Sequence, residues 1–277
     1  MKKIVLLFTL TMSIVTLAAC GVAGDGETLR VGMDLSYPPF ETEQRGSFWF
    51  NREPHGISVD VAKELGEYLG RDVTIVDTSF GSLIPALNSG EIDVIIASMS
   101  ITEERAESVD FSDPYFYFKI ISLVNQDFAD ANDITEDTTS DELAEIEGAR
   151  FVGIADQVSY QIPLDMGLDV LEATDLSSAV FEVTQGTRDI LMMSAFPVGN
   201  NNQANPDTTM VVWDPFVTSP IGMAVRQGEE DLLNDINAFI AQMHDEDGVY
   251  DRLRETWDDE VEERLGRYGL DFFIYED

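Results

Sequence analysis

A chain of 277 residues that is 44% hydrophobic and 10% aromatic is long and apolar enough for one large domain or two lobes with their own cores, which excludes a disordered chain. Its formal charge of −37, from 53 acidic against 16 basic residues, excludes a surface that attracts nucleic acid or anionic lipid by charge. The single cysteine, Cys20, excludes an internal disulfide.

The chain opens with the basic "MKK" and the uncharged run "IVLLFTLTMSIVTLAA", which reads as an export signal over residues 1–20. The run closes in Leu17-Ala18-Ala19-Cys20, which resembles a bacterial lipobox, with Cys20 as the lipid acceptor. A diacylated N-terminus would hold the protein on a membrane. Residues 21–27, "GVAGDGE", then form a tether. No later apolar run reaches membrane-spanning length.

"TLRVGM" at 28–33 predicts a strand. "GISVDVAKELGEYLG" predicts a helix from the spacing of Ile57, Val61, Ala62, Leu65 and Leu69, with Gly70 as its stop. "DVTIVD" at 72–77 predicts a strand, "LIPALNSG" a short helix ending at Gly90, and "DVIIA" at 93–97 a strand buried on both faces. This alternation predicts an α/β layer with parallel strands.

The second half repeats the alternation. "DELAEIEG" predicts a helix with Ser140 as its cap, and "RFVGI" a strand. "LSSAVFEVTQG" predicts a helix ending at Gly186, followed by strands at "DILMM", "MVVW" and "IGMAV". Beyond these, "EEDLLNDINAFIAQMHDEDG" predicts a helix stopped by Gly248, and "VYDRLRETW" another with Tyr250, Leu253 and Trp257 on one face. The last stretch, "DDEVEERLGRYGLDFFIYED", suggests a short helix and then an exposed strand, packed across the first lobe. The acidic stretch 127–147 is expected to be an exposed connection between lobes, and no internal sequence repeat is read.

Two α/β units joined near 115–120 and 216–221 make a two-lobed molecule with a cleft. Ligands of open α/β sheets sit beyond the carboxyl ends of strands, which puts Ser98 to Arg105 on the cleft wall.

Four segments, "LRVGMDLSYPPFE", "GISVDVAKEL", "FGSLIPALNSGEIDVIIASMSITEERAESVDFSDPYF" and "PIGMAVRQG", resemble the family 3 extracellular solute-binding proteins of polar amino-acid ABC importers, the group that includes the glutamine-binding protein. The resemblance implies the two-lobed, type II periplasmic-binding-protein fold with two hinge crossovers. It implies lobe one from 28–118 plus 218–277 and lobe two from 119–217. It implies that Arg105, after Thr102, forms a bidentate pair with a ligand carboxylate, a task that suits a planar, permanently charged fork. Ser98 and Ser100 add hydroxyls and let the backbone approach. Asp34 matches a position near the ligand side chain, Tyr37 and Phe80 match aromatic walls, and Ser159 matches the lobe-two loop that caps the carboxylate.

Two departures stand out. The loop's usual Gly-Thr is Gln157-Val158 here, so the freedom of glycine is lost. The family's ammonium-binding aspartate is Ser194 here. Either Asp156 or Asp34 supplies the counter-charge, or the ligand lacks a primary α-ammonium. Tyr37, Phe40, Trp49, Phe80, Phe196 and Trp213 are read as a cleft-side aromatic set suited to substituted ammonium groups, as in ectoine-like or betaine-like solutes. The alternative is that these aromatics are lobe cores and "SAFPVGNNNQANPD" is a variable surface insertion.

Three function classes follow: a transport receptor delivering an amino acid or related zwitterion to a permease and its ATPase, a dehydratase-like enzyme, and a ligand-sensing partner of a membrane sensor. The two histidines, His55 and His244, stand far apart, and no nucleophile–base pair occurs at a recognisable spacing. No cofactor, metal or nucleic-acid partner is expected. The acidic surface reads as adaptation to high salt, where ions screen self-repulsion.

Overall fold

The computed structural model describes residues 28–46, 52–155 and 157–276. Cys20, Trp49 and Asp156 therefore lie outside the described residues.

The first lobe begins with strand β1 (Leu29–Met33), the hairpin β2 (Thr42–Arg45) and β3 (Arg52–His55), and helix α1 (Ile57–Leu69). Strand β4 (Val73–Asp77), helix α2 (Leu83–Ser89), strand β5 (Val94–Ile95), helix α3 (Glu103–Ala106) and strand β6 (Asp110–Phe111) follow. β1 pairs in parallel with both β4 and β5, so α1 and α2 are the crossovers. The helix stops fall where the glycines predict: Gly70 and Gly90 adopt left-handed φ of 65° and 78°.

The second lobe is built from β7 (Phe116–Asn125), α4 (Gln126–Ala131), α5 (Ser140–Glu145), β8 (Arg150–Ile154), α6 (Val158–Asp165), β9 (Asp169–Ala173), α7 (Leu176–Thr184), β10 (Ile190–Ser194), α8 (Ala195–Ala204) and β11 (Thr209–Ile221). Its sheet order is β11-β7-β10-β8-β9. The chain then returns through β12 (Ala224–Val225), which completes the first sheet in the order β4-β1-β5-β12-β6. It ends in α9 (Glu230–Gln242), α10 (Val249–Leu265) and α11 (Asp271–Ile274).

The long strands β7 and β11 run antiparallel and make the double crossover. Between Phe116 and Lys119, β7 pairs only with β11, in a two-stranded ribbon that leaves the second sheet.

Each lobe is fastened at the base of its sheet by the same clasp. Arg30 at β1 donates through its backbone N–H and Nε to Asp93 Oδ2 and through Nη2 to Oδ1, at 2.5–3.0 Å, and through Nη1 to the Gly90 carbonyl. Arg150 at β8 donates through the same three groups to Asp189 at 2.6–2.9 Å and through Nη2 to the Gly186 carbonyl. Both aspartates end a Gly-x-x-Asp stretch, Gly90–Asp93 and Gly186–Asp189. This is a short internal correspondence between the two lobes. Burial pushes the Asp93 carboxyl up, but the hydrogen bonds and charge of Arg30 together hold it below the ordinary range.

Several expectations are corrected. The cap of α5 is Thr139, whose hydroxyl and Glu142 form a reciprocal capping box, and Ser140 is the first helical residue. Gly248 caps the start of α10, while α9 already ends at Gln242. The acidic stretch 127–147 lies within the second lobe, between β7 and β8, and so does not connect the lobes. "SAFPVGNNNQANPD" contains α8, whose Phe196, Val198 and Gly199 are buried, so it is no surface insertion. "LDFFIY" is helical, with Phe273 and Ile274 buried.

Candidate functional site

The carboxyl end of β5 delivers the chain to Ser98, which adopts a left-handed φ of 49°. A serine there costs on the order of 1 kcal/mol or more. Its hydroxyl offsets part of that cost by donating to both oxygens of Glu41, at 2.8 and 3.1 Å. Ser58 at the start of α1 also donates to Glu41 in a very short hydrogen bond. Glu41 is 1% exposed, and burial pushes its carboxyl up to about 8; the two serine bonds pull downward and the charge of Asp34 pushes upward. Burial thus favours the protonated form of Glu41. Sequence reasoning missed it, because one glutamate among 53 acidic residues carries no mark of burial.

The next residues are tied to the crossover ribbon. Ser100 bridges Ile221, Ile101 N–H donates to the Pro220 carbonyl at 2.9 Å, and the Ser219 hydroxyl donates to Ser100 Oγ at 2.8 Å. Thr102 then caps α3 by accepting from the Arg105 N–H. This places the Arg105 side chain back over the loop, where Nη1 donates to the Ser100 carbonyl at 2.9 Å and the guanidinium lies 5.2 Å from the centre of the Phe80 ring.

Among the described residues Arg105 has no carboxylate within ion-pair distance, although Glu103, Glu104 and Glu107 are sequence neighbours. Partial burial weakens its hold on the proton, and the charge of Glu104 strengthens it. A half-buried guanidinium with spare donors and no counter-ion is prepared to receive an anionic group.

Asp34, just past β1, accepts from the Phe80 N–H at 2.8 Å and from Ser36 Oγ at 2.5 Å. It therefore fixes the aromatic ring that lies against Arg105. Phe80 is 38% exposed, as a wall residue should be. On the other side, the Tyr37 hydroxyl lies 2.8 Å from Ser194 Oγ, a hydrogen bond from lobe one to lobe two. Burial pushes the Tyr37 hydroxyl well above its ordinary range.

The structure thus forms two groups: Asp34, Phe80, Arg105 and Ser100 are joined by direct contacts, and Ser98, Glu41, Tyr37 and Ser194 by another chain of hydrogen bonds. Ser159 stands apart. It is 1% exposed, and its hydroxyl accepts from the Ile154 N–H at 3.0 Å, so it fastens α6 to β8. Gly153 permits that approach, since a Cβ there would lie 2.3 Å from the Ser159 carbonyl oxygen. Phe40 and Phe196 are core residues, 0% and 1% exposed, and Trp213 packs on Tyr268 and Phe272. Of the expected aromatic set, Phe80 stands beside Arg105 and Tyr37 beside Ser194. No cluster of three or more metal-ligating side chains occurs among the described residues.

The chain is similar to several known binding proteins. The L-cystine-binding protein TcyJ of Escherichia coli (strain K12) is 29% identical over 233 residues, covering 83% of this chain and 82% of that protein. The ABC transporter arginine-binding protein 1 of Escherichia coli (strain K12) is 26% identical, covering 85% of this chain and 92% of that protein. Among solved structures, an ancestral arginine-binding protein bound to arginine is 33% identical with a TM-score of 0.63, covering 83% of this chain and 97% of that one. A binding component of an ABC transporter from Wolinella succinogenes, complexed with lysine, is 26% identical with a TM-score of 0.66, covering 83% of this chain and 95% of that one. Residues 29–260 match the family described as bacterial extracellular solute-binding proteins, family 3, and the chain belongs to that family.

Proposed function

We propose that this protein is an extracytoplasmic, lipid-anchored receptor of an ABC importer, which binds an amino acid or amino-acid-like zwitterion between its lobes and hands it to a membrane permease and its ATPase. The observation that carries the reading is Arg105: half-buried, lying against Phe80, and without a carboxylate partner among the described residues. The ligand carboxylate takes the spare guanidinium donors, and Ser98 and Ser100 supply the polar wall. Asp34, which accepts from the Phe80 N–H beside Arg105, is the acid positioned to receive a cationic group. Relatives named for binding arginine and a structure complexed with lysine support that polarity. Anchoring rests on Leu17-Ala18-Ala19-Cys20, and the acidic surface fits a salt-rich exterior.

A second reading, an ectoine-like or betaine-like ligand, is favoured by one observation. Ser194, at the position where the family places an acid, is engaged by the Tyr37 hydroxyl. A ligand without a primary α-ammonium would not need that acid. An enzymatic reading has less support, although one neighbour is an ancestral amino acid-binding protein described as a precursor of cyclohexadienyl dehydratase.

Thermal unfolding in molar salt, with L-arginine, L-lysine, L-cystine, L-glutamine, ectoine and glycine betaine in turn, tests these readings. A ligand at 100-fold its dissociation constant stabilises by roughly 2.7 kcal/mol, on the order of 2–4 °C for a protein of this size. A shift with the amino acids supports the first reading, and a shift confined to ectoine or betaine supports the second. No shift with any of them would count against both. Loss of membrane association on Cys20→Ser tests the anchor.

A further inference from the structure

The family match ends at residue 260, yet Val261, Leu265, Leu270, Phe273 and Ile274 beyond it are 0–4% exposed. This last stretch is folded onto the rest with care. α10 runs to Leu265, and Gly266 ends it with a φ of 75°. The chain turns back because Asp258 Oδ1 accepts from the Leu270 N–H at 2.6 Å and Arg254 Nε donates to Asp271 Oδ1 at 2.7 Å.

The turn places Phe273 among three bodies. Its ring stacks on Phe196 of lobe two with centroids 4.9 Å apart and planes 11° apart. It meets Phe40 of lobe one edge-on at 5.4 Å and Phe118 of the crossover strand β7 at 5.5 Å. Those partners lead to the cleft. Phe40 stacks on Tyr37, and Phe196 lies two residues after Ser194, the residue Tyr37 touches across the lobes. The preceding helix reinforces the join. Gln203 of α8 donates to the carbonyls of Glu263 and Arg264 at 2.9 and 2.8 Å, and Arg267 pairs with Glu136 of lobe two at 3.3 Å.

We propose that Phe273 is a positioning residue: packed on both Phe40 and Phe196, which also meet edge-on at 5.6 Å, it sets the angle between the lobes and so holds Tyr37 and Ser194 in register across the cleft. The C-terminal segment is then a strut rather than a cover for lobe one. The proposal does not depend on which ligand the cleft takes.

The test measures an interlobe distance. Spin labels are placed at the exposed positions Glu67 on α1 and Gln185 after α7, as Glu67→Cys and Gln185→Cys, in the full chain carrying Cys20→Ser in molar salt. Double electron–electron resonance then reads the distance distribution alongside a thermal melt. Phe273→Ala is expected to broaden and shift the distribution, and Phe273→Leu, which keeps an apolar side chain in the seat, to restore most of it. Gly199→Ala perturbs the same join from the other side, because its methyl would lie 3.0 Å from the Arg264 carbonyl oxygen; it is expected to broaden the distribution too, and it decides the question if Phe273→Ala does not fold. A lowered melting temperature with an unchanged distribution in the variants that fold would make Phe273 merely a core residue and overturn the proposal.

Discussion

The hydroxyls of Tyr37 and Ser194 meet at 2.8 Å, so lobe one and lobe two touch at the serine that the resemblance aligns with the family's aspartate. Both groups can donate and accept, so the contact is satisfied without a charge. Ser194→Asp places a carboxylate beside a tyrosine hydroxyl able to donate to it. The variant is expected to favour ligands with a primary α-ammonium by tenfold or more, about 1.4 kcal/mol, measured by calorimetric titration with L-arginine against glycine betaine. Unchanged relative affinities would show that position 194 does not face the ligand.

Arg105 makes a sharper prediction. Arg105→Lys keeps the charge but loses the fork, and Arg105→Ala loses both. Hydrogen bonds to charged groups are worth about 1.5–3 kcal/mol each, so the lysine variant is expected to bind a carboxylate ligand at least ten times more weakly and the alanine variant more weakly still. Among the described residues the Arg105 side chain makes one hydrogen bond to protein, to the Ser100 carbonyl, so melting temperatures without ligand should change little. Wild-type affinity in Arg105→Ala would remove the residue from the site.

Glu41 makes stability depend on pH. Its folded-state value of about 8 lies above the ordinary 4.5, so the folded state holds a proton that the unfolded state gives up. The contribution is fully present below about 4.5, falls as pH rises, and is lost by about 8. Glu41→Gln, which stays neutral, is expected to gain on the wild type by up to ~1.4 kcal/mol per pH unit across that window. Parallel denaturant melts of the two proteins from pH 4 to 9 measure the difference. A constant difference would mean that Glu41 is charged in the fold.

The charge of −37 gives the fourth prediction. In dilute buffer the self-repulsion of the acidic surface acts over roughly 30 Å, and at 1 M salt over about 3 Å. The melting temperature is expected to climb steadily between those limits. Equal values at both ends would remove the argument for a salt-rich habitat.

Much of the fold was legible because its signals are local. α1 carries its apolar stripe and its glycine stop within fifteen residues, and Phe80, Ser98, Ser100 and Arg105 all lie within one uninterrupted motif. What escaped depends on distance through space. Glu41 is tied to Ser58 and Ser98, 17 and 57 residues away, and nothing at position 41 announces either partner. Phe40 and Phe196 were read as cleft aromatics since exposure cannot be told from residue type, and Phe273, which buries both, lies at the far end of the chain. "LDFFIY" suggested a strand by its β-favouring residues, but the turn fastened by Asp258 and Arg254 overrides that preference. The paired Gly-x-x-Asp clasps were present in the letters but too short to register as a repeat.

The ribbon of β7 and β11 that spans the lobes has a third member. Ser100 bridges Ile221, Ile101 bonds Pro220, and Arg105 hangs from the Ser100 carbonyl. On the proposed reading, the loop that would hold a carboxylate is woven into the ribbon that joins the lobes. A ligand pulling on Arg105 would then load that ribbon directly, and closing the cleft and registering that it is filled would be one event.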